Sequence, residues 1–214
     1  LFFITLASVL RIIRLYETDF TLIEPNCLEL ETMPSTQQCE YNISCNGATD
    51  GWINTETLGG TGAYTYTWFE LEVNEEETGF NQSYVGNSST LNDVGAGTYL
   101  VLLNDGNFCT IQDTITLSEP PLLTVDLTQE NVSCFGGGDG SITLTINGGC
   151  PNIIDNYYEI VWTDENSEII PIENTPDLNT ETGSVTSTIE NIGAGSYSVG
   201  ITDGNGCEIF DETI

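Results

Sequence analysis

The chain has 214 residues, 33 of them acidic and only two basic, with no histidine, which gives a formal net charge of −31. The lack of Lys, Arg and His after Arg14 argues against nucleic-acid binding, against an anionic membrane surface as partner, and against catalysis by a histidine base or a lysine. With 39% hydrophobic residues, 22 glycines and one methionine, the composition favours strands and turns, and therefore an all-β fold.

An internal repeat organises the chain. Residues 95–109 read GAGTYLVLLNDGNFC and residues 193–207 read GAGSYSVGITDGNGC, at an offset of 98. Upstream, residues 43–53 (ISCNGATDGWI) and residues 132–142 (VSCFGGGDGSI) match at an offset of 89. We therefore predict two consecutive modules, residues 26–121 and residues 122–214, that differ by insertions in loops.

The first 25 residues fit this repeat only at their end. Residues 21–25 read TLIEP, and residues 116–120 read TLSEP. We interpret residues 1–25 as the C-terminal end of a preceding module, and the chain as a fragment of a longer protein with the last strand truncated. A signal peptide is the alternative, but it would place Arg11 and Arg14 before the apolar stretch rather than after it.

Alternating apolar residues predict the central strands of each module. Residues 64–68 and residues 158–162 both alternate and both end in a tryptophan, Trp68 or Trp162. A tryptophan on a central strand is typical of the core of an immunoglobulin-like β-sandwich. We therefore predict tandem immunoglobulin-like β-sandwich modules with these two side chains in their cores.

The segment after the Gly-Ala-Gly corner supports the same fold. Tyr99 and Tyr197 begin strands just after the corner, as the tyrosine corner of immunoglobulin-like sandwiches does, and we expect them to fill or pin the core. Each strand then leads into a predicted hairpin, with Asp105-Gly106 or Asp203-Gly204 at its turn.

The seven cysteines include no C-x-x-C pair, which favours disulfides over a metal site and indicates an oxidising, extracellular setting. The cysteines that recur bracket each copy, so we predict pairing within modules, with a further local bridge in the insertion that precedes the first repeat. The predicted bridges are Cys45–Cys109, Cys134–Cys207 and Cys27–Cys39. Cys150 is left as a free thiol or as a link to a segment outside this chain.

Taken in order, these residues resemble the SprB repeat, which is named for the giant cell-surface adhesin of gliding Bacteroidota. The second copy matches best, and the first departs at Phe108, where the family has glycine. The matching residues of the second copy are Cys134, Gly136, Asp139, Gly140, Ile142, Gly148, Gly149, Trp162, Gly195, Tyr197, Val199, Asp203, Asn205, Gly206 and Cys207. The resemblance implies a bacterial cell-surface tandem array, often exported by type IX secretion, that serves adhesion, gliding motility or a filament rather than catalysis.

The recurring aspartates allow two interpretations. Asp50, Asp105, Asp139 and Asp203 would supply hard oxygen ligands for calcium near the module ends. Asp-Gly is also a strong turn signal by itself, and we favour that interpretation. We therefore expect no required cofactor and no metal site, with Ca²⁺ as a possible ligand.

Other functions have weaker support in the sequence. No carboxylate pair is spaced in a way that indicates a glycosidase, so we expect no enzymatic activity. Trp52, Tyr84 and Phe135 are candidate exposed aromatics, and aromatic platforms stack on sugars.

We expect a structural or adhesive segment of a large secreted surface protein or extracellular filament, which spaces or displays adhesive elements. Its expected partners are neighbouring modules of the same chain and, beyond them, surface glycans or other cell-surface proteins. The alternative is a glycan- or protein-binding module. Pro120 and Pro121 would restrict the linker between modules, and the shared negative charge would keep modules from sticking to one another.

Overall fold

The computed structural model describes residues 22–74, 79–151, 158–172, 177–178 and 183–213. In these ranges the chain is all-β, apart from one 3₁₀ turn at Gln38–Glu40. None of the described segments forms a helix with the length and apolar character needed to cross a bilayer.

The first module consists of two antiparallel sheets. One sheet has the strand order β1-β2-β5 and the other β4-β3-β6-β7. Their bounds are β1 (Glu29–Pro34), β2 (Gly51–Leu58), β3 (Thr65–Asn74), β4 (Gly79–Gly86), β5 (Thr90–Val94), β6 (Gly97–Asn104) and β7 (Thr110–Leu117).

The second module repeats this arrangement. Its sheets have the orders β12-β13-β9-β8 and β11-β10-β14-β15. Their bounds are β8 (Thr124–Glu130), β9 (Gly140–Asn147), β10 (Glu159–Asp164), β11 (Ile169–Ile170), β12 (Asp177–Leu178), β13 (Val185–Ile192), β14 (Tyr197–Thr202) and β15 (Glu208–Thr213). The strand order is that of an immunoglobulin-like sandwich, which confirms the predicted fold class.

In each module the apolar faces of the two sheets form one core. Strand β9 shows why, because its residues alternate strictly between buried and half-buried positions along GSITLTIN. Trp68 and Trp162 lie on the central strands β3 and β10 and are both 0% exposed. The indole N–H of Trp68 donates to the carbonyl of Ser88 at 2.8 Å.

A β-bulge precedes the Gly-Ala-Gly corner in both modules. The register shifts opposite Gly51 in the first module and between Glu190 and Ile192 in the second. The extra residue, Asp93 or Asn191, has φ of 57° or 56°. Asp and Asn tolerate this left-handed conformation better than most residues, so the sequence accommodates the bulge without glycine.

The tyrosines after the corner bond back to the chain as a tyrosine corner does. The hydroxyl of Tyr99 donates to the carbonyl of Gly95 at 3.0 Å, and that of Tyr197 donates to Gly193 at 2.9 Å. Tyr99 is buried, and its burial together with the negative charge of Glu70 raises its pKa to about 12. Tyr197 is only half-buried and packs against the edge of its core.

Candidate functional site: the junction between the modules

The structure corrects the predicted disulfide pairing. Both bridges join the two modules, with Cα–Cα distances of 6.0 and 5.8 Å. They are Cys39–Cys150 and Cys45–Cys207. The predicted bridges Cys45–Cys109, Cys134–Cys207 and Cys27–Cys39 are absent, and Cys27, Cys109 and Cys134 are exposed thiols.

The physical reason is that the cysteines predicted to pair lie at opposite ends of a module. At the entry end, the N–H of Gly60 donates to Asn26, ahead of β1, and the N–H of Gly106 donates to Gly62, so the β2–β3 and β6–β7 loops meet there. At the exit end, the N–H of Asn42 in the β1–β2 loop donates to Ser118, which follows β7. Cys45 belongs to the exit end and Cys109 to the entry end.

Because the modules follow one another, the exit end of the first meets the entry end of the second. The β1–β2 loop (residues 35–50) thus contacts the β14–β15 loop (residues 203–207), and Cys45 of the first loop is bonded to Cys207 of the second. Cys39 lies in the part of this loop that the second module lacks, and it reaches Cys150, which follows the Gly148-Gly149 pair. The insertion therefore adds a second bridge to the junction.

Hydrogen bonds reinforce the same contact. The side-chain amide of Asn205 donates to the carbonyl of Ser44 at 2.9 Å, and its oxygen accepts the N–H of Gln38 at 3.1 Å. The side chain of Gln38 also donates to the carbonyl of Gly204 at 2.5 Å. One asparagine of the second module is thus held at two positions of the β1–β2 loop of the first.

The linker between the modules is held by the same loop. The carboxylate of Glu119 accepts the N–H of Gly47 at 2.6 Å and the side-chain amide of Asn46 at 3.1 Å. The Asn46 amide also lies 3.1 Å from the carbonyl of Pro120. Glu119 and the two prolines therefore follow a fixed path, as the Glu-Pro-Pro sequence indicated.

The glycine pair Gly148-Gly149 contacts the linker backbone where the linker leads into the second module. The N–H of Gly149 donates to Pro121 at 2.8 Å. A Cβ at Gly148, whose φ is +74°, would lie 2.0 Å from the carbonyl oxygen of Leu122, so only glycine fits. The first module is entered in the same way, because Gly59 approaches Cys27 and Gly60 binds Asn26.

Asp105 and Asp203 organise the loops at the entry ends. One oxygen of Asp105 accepts the N–H groups of Asn107 at 2.9 Å and Cys109 at 2.8 Å, and the other accepts the N–H and the hydroxyl of Thr61, both at 3.1 Å. In the second module, one oxygen of Asp203 accepts the N–H groups of Asn205 and Cys207 in the same way. The predicted hairpin turn is therefore a five-residue loop built around a carboxylate.

These donors also determine how Asp105 titrates. Burial opposes ionisation, but the N–H groups of Cys109, Asn107 and Thr61 outweigh it and hold the pKa of Asp105 below its ordinary value. A folded-state pKa below the unfolded one means that this stabilisation is complete above the unfolded pKa, about 3.9. It is lost as the pH falls through the lower, folded-state pKa.

We expect Asp105→Asn to lower the melting temperature of the first module at pH 7. The new amide would keep one acceptor for Asn107 and Cys109, but its NH₂ group would face the donors of Thr61. Thermal unfolding from pH 7 to pH 2 should also show a weaker acid dependence than in the wild type. Asp126→Asn, on the exposed side of β8, is the control. Equal melting of both variants would contradict this role for Asp105.

The aspartates that we considered for calcium all lie in loops at the module ends. Asp50 and Asp139 each accept the N–H of a serine that precedes a first-loop cysteine, Ser44 or Ser133. Among the described residues, no group of three or more His, Cys, Asp or Glu side chains is placed to hold a metal ion. Calcium binding stays a prediction, while the turn interpretation accounts for the observed contacts.

The candidate sugar-stacking aromatics are spread over different surfaces. Trp52 lies on β2 and is half-exposed, whereas Tyr84 lies on the edge strand β4 of the other sheet. Tyr84 makes an edge-to-face contact with Phe69, with ring centroids 6.4 Å apart. Phe135 lies in the β8–β9 loop of the second module and is fully exposed. The structure thus does not gather the three side chains into one site.

Two disulfide-joined immunoglobulin-like sandwiches are therefore the class of structure that this chain defines. Residues 41–69 and 127–164 match the family model of the SprB repeat, so two segments of the chain are similar to that family. The family resemblance in the sequence is confirmed. The family and the disulfides fit an adhesion-type repeat domain of an extracellular or surface protein.

Comparison with curated protein sequences found no match. Among solved structures, bovine butyrophilin is 12% identical with a TM-score of 0.36, covering 80% of this chain and 91% of that one. Murine CEACAM1b is 16% identical with a TM-score of 0.29, covering 82% and 92%. A Dscam structure is 14% identical with a TM-score of 0.33, covering 89% of this chain but 46% of that one. The fold class rests on the sheet order described above and not on these likenesses.

Proposed function

We propose that the chain is a stiff spacer segment of a secreted bacterial cell-surface protein or filament, which displays adhesive elements away from the cell. The observation that carries this proposal is the pair of disulfides between the modules. Together with the linker peptide they make three covalent connections across one junction. Two folded bodies joined at three separate points lose most of their freedom to rotate against each other.

The charge and the linker support the same role. Apart from Arg11 and Arg14, every charged residue is acidic, so neighbouring arrays repel one another at low salt. The hydrogen bond from Gly47 to the carboxylate of Glu119 and the one from Gln38 to Asn205 fix the path of the chain between the modules. An array of this kind resists both bending and lateral association, which suits the spacing of adhesive elements on a gliding or adherent cell.

The test is whether the two modules tumble as one body. We expect backbone ¹⁵N relaxation to give one correlation time for both modules in the oxidised protein. After reduction it should fall, by up to roughly twofold, because each module then moves as a domain of half the size. Chemical-shift dispersion should survive reduction, since no bridge lies within a module.

The matched control is Cys27→Ser, which removes an exposed thiol without touching a bridge. A variant with Cys39, Cys45, Cys150 and Cys207 all changed to Ser should tumble like the reduced protein. Independent tumbling of the two modules already in the oxidised protein would overturn the spacer proposal.

A further inference from the structure

The two unpaired repeat cysteines occupy the same positions as the two that are bonded. Cys134 follows Ser133 in the β8–β9 loop (residues 131–139), as Cys45 follows Ser44 in the β1–β2 loop. Cys109 closes the β6–β7 loop (residues 105–109), as Cys207 closes the β14–β15 loop. Each module thus carries one repeat cysteine at its exit end and one at its entry end, and of these four only Cys45 and Cys207, which meet at the observed junction, are bonded.

The exit-end loop of the second module already has the bonded conformation. The N–H of Gly137 donates to Cys134 at 2.9 Å, as that of Ala48 donates to Cys45 at 3.0 Å. Gly136 has φ +72°, close to the +75° of Gly47, whose N–H holds the linker glutamate in the observed junction. The loop therefore needs no rearrangement to receive a further module.

The entry-end loop of the first module is preformed as well. The N–H of Asp105 donates to Cys109 at 3.0 Å, and that of Asp203 donates to Cys207 at the same distance. Phe108 has φ +64° although it is not a glycine, and thereby adopts the left-handed conformation of Gly206. The phenylalanine directly precedes the free Cys109 in sequence and is 87% exposed.

Each of the two ends also exposes a phenylalanine next to its free thiol in sequence. Phe108 directly precedes Cys109 at the entry end, and Phe135 directly follows Cys134 at the exit end and is fully exposed. At the entry end, Glu24 in TLIEP corresponds to Glu119 in TLSEP, whose carboxylate accepts the N–H of Gly47 in the observed junction. Each end thus offers one thiol and one exposed phenylalanine.

We propose that the exit end of the second module docks the entry end of the first module of another copy of this chain and forms a Cys134–Cys109 disulfide with it. This rests on the proposed spacer function and adds the rule by which the array continues. Phe135 and Phe108 replace Asn46 and Gly206, so the new junction buries an aromatic pair beside its bridge. It has a single bridge, because the second module has no counterpart of Cys39.

The bond forms by thiol–disulfide exchange with a disulfide oxidant such as oxidised glutathione. The Cys134 thiolate attacks the oxidant, which gives a mixed disulfide and releases one glutathione thiolate. The Cys109 thiolate then attacks the Cys134 sulfur and releases the second. The two cysteine protons end on the two glutathione thiols, and the two electrons reduce the oxidant.

A tandem chain made only of native residues tests this. Residues 1–214 are followed directly by residues 22–214, so that LIEP (residues 22–25) links the two copies as LSEP (residues 117–120) links the two modules. After refolding in a glutathione redox buffer, non-reducing peptide mapping should show a bridge from Cys134 of the first copy to Cys109 of the second. Iodoacetamide labelling of both thiols should be lost. Labelling of both thiols in a tandem chain with all four internal bridges formed would overturn the proposal.

The map separates this proposal from the spacer function. Bridges Cys39–Cys150 and Cys45–Cys207 inside each copy report the junction on which the spacer function depends, whereas Cys134–Cys109 reports the new one. Cys134→Ser in the first copy should abolish only the new bridge, and Cys27→Ser in the second copy should leave every bridge intact.

If the tandem chain does not fold, variants of the single 214-residue chain give the answer. Cys109→Ser and Cys134→Ser variants, each with one competent end, are mixed in the same redox buffer. A disulfide-linked dimer in the mixture, with neither variant dimerising through these ends alone, supports the proposal. A mixture that stays monomeric on a non-reducing gel overturns it.

Discussion

When the oxidised chain is stretched from its two ends, we expect the disulfides to keep most of its residues from extending. The shortest covalent path enters at the N-terminus, crosses from Cys45 to Cys207 and leaves at the C-terminus, which bypasses a sequence separation of 162 residues. At about 3.3–3.6 Å per residue, the hidden contour is about 55 nm. Single-molecule extension should therefore gain about this length when the bridges are reduced, since the modules can then unravel.

Removing only the Cys45–Cys207 bridge should give an intermediate gain in length. In Cys45→Ser/Cys207→Ser, the Cys39–Cys150 bridge still bypasses a separation of 111 residues, so about 38 nm stays hidden. The Cys27→Ser variant should behave as the wild type, because its thiol takes part in no bridge. Full extension of the oxidised wild type would show that the bridges do not join the modules.

Truncation of the core tryptophans should be the most destabilising side-chain change. Trp68 and Trp162 are both 0% exposed, each within the core of its own module. Trp68→Ala and Trp162→Ala should each lower the free energy of unfolding of that module by about 3–5 kcal/mol. Hydrogen exchange, resolved by peptide, should show faster exchange in the altered module and little change in the other.

Replacement by phenylalanine should distinguish the two tryptophans. Trp68 donates to Ser88, whereas the indole N–H of Trp162 is buried without an acceptor among the described residues. Trp68→Phe should therefore cost about 1 kcal/mol more than Trp162→Phe, because only the first loses a hydrogen bond. The half-exposed Trp52, changed to Phe, is the control. An equal cost for both would mean that the Trp162 indole has an acceptor.

The module architecture could be predicted because it depends on local patterns. Alternation along β9 determines which of its side chains face the core of the second module. Trp68 lies on β3, a central strand of the first module, and is buried as the alternation of residues 64–68 indicated. Tyr99 and Tyr197 bond to the glycine corner that precedes them in sequence. These contacts are made within a few residues or within one sheet, so periodicity and spacing carry the information.

The width of the hairpin loops was less predictable. Asp-Gly after a strand indicates a tight turn, but Asp105 and Asp203 instead collect N–H donors from the whole five-residue loop. The donors at Thr61 and Cys150 come from a different loop of the same module. The length of the loop thus follows from the several N–H donors that a buried carboxylate needs, and some of these donors are supplied by tertiary contacts.

The cysteine pairing shows where sequence reasoning ends. In a tandem repeat, Cys45 is equivalent to Cys134 and Cys109 to Cys207, so pairing within modules and pairing between modules fit the same spacing. The sequence by itself determined the repeat, the sandwich modules with their tryptophan cores, and a one-signed charge that disfavours polyanionic partners. Only the tertiary structure decided that the bridges cross the junction, because the β1–β2 and β6–β7 loops lie at opposite ends of a module while consecutive modules meet exit end to entry end.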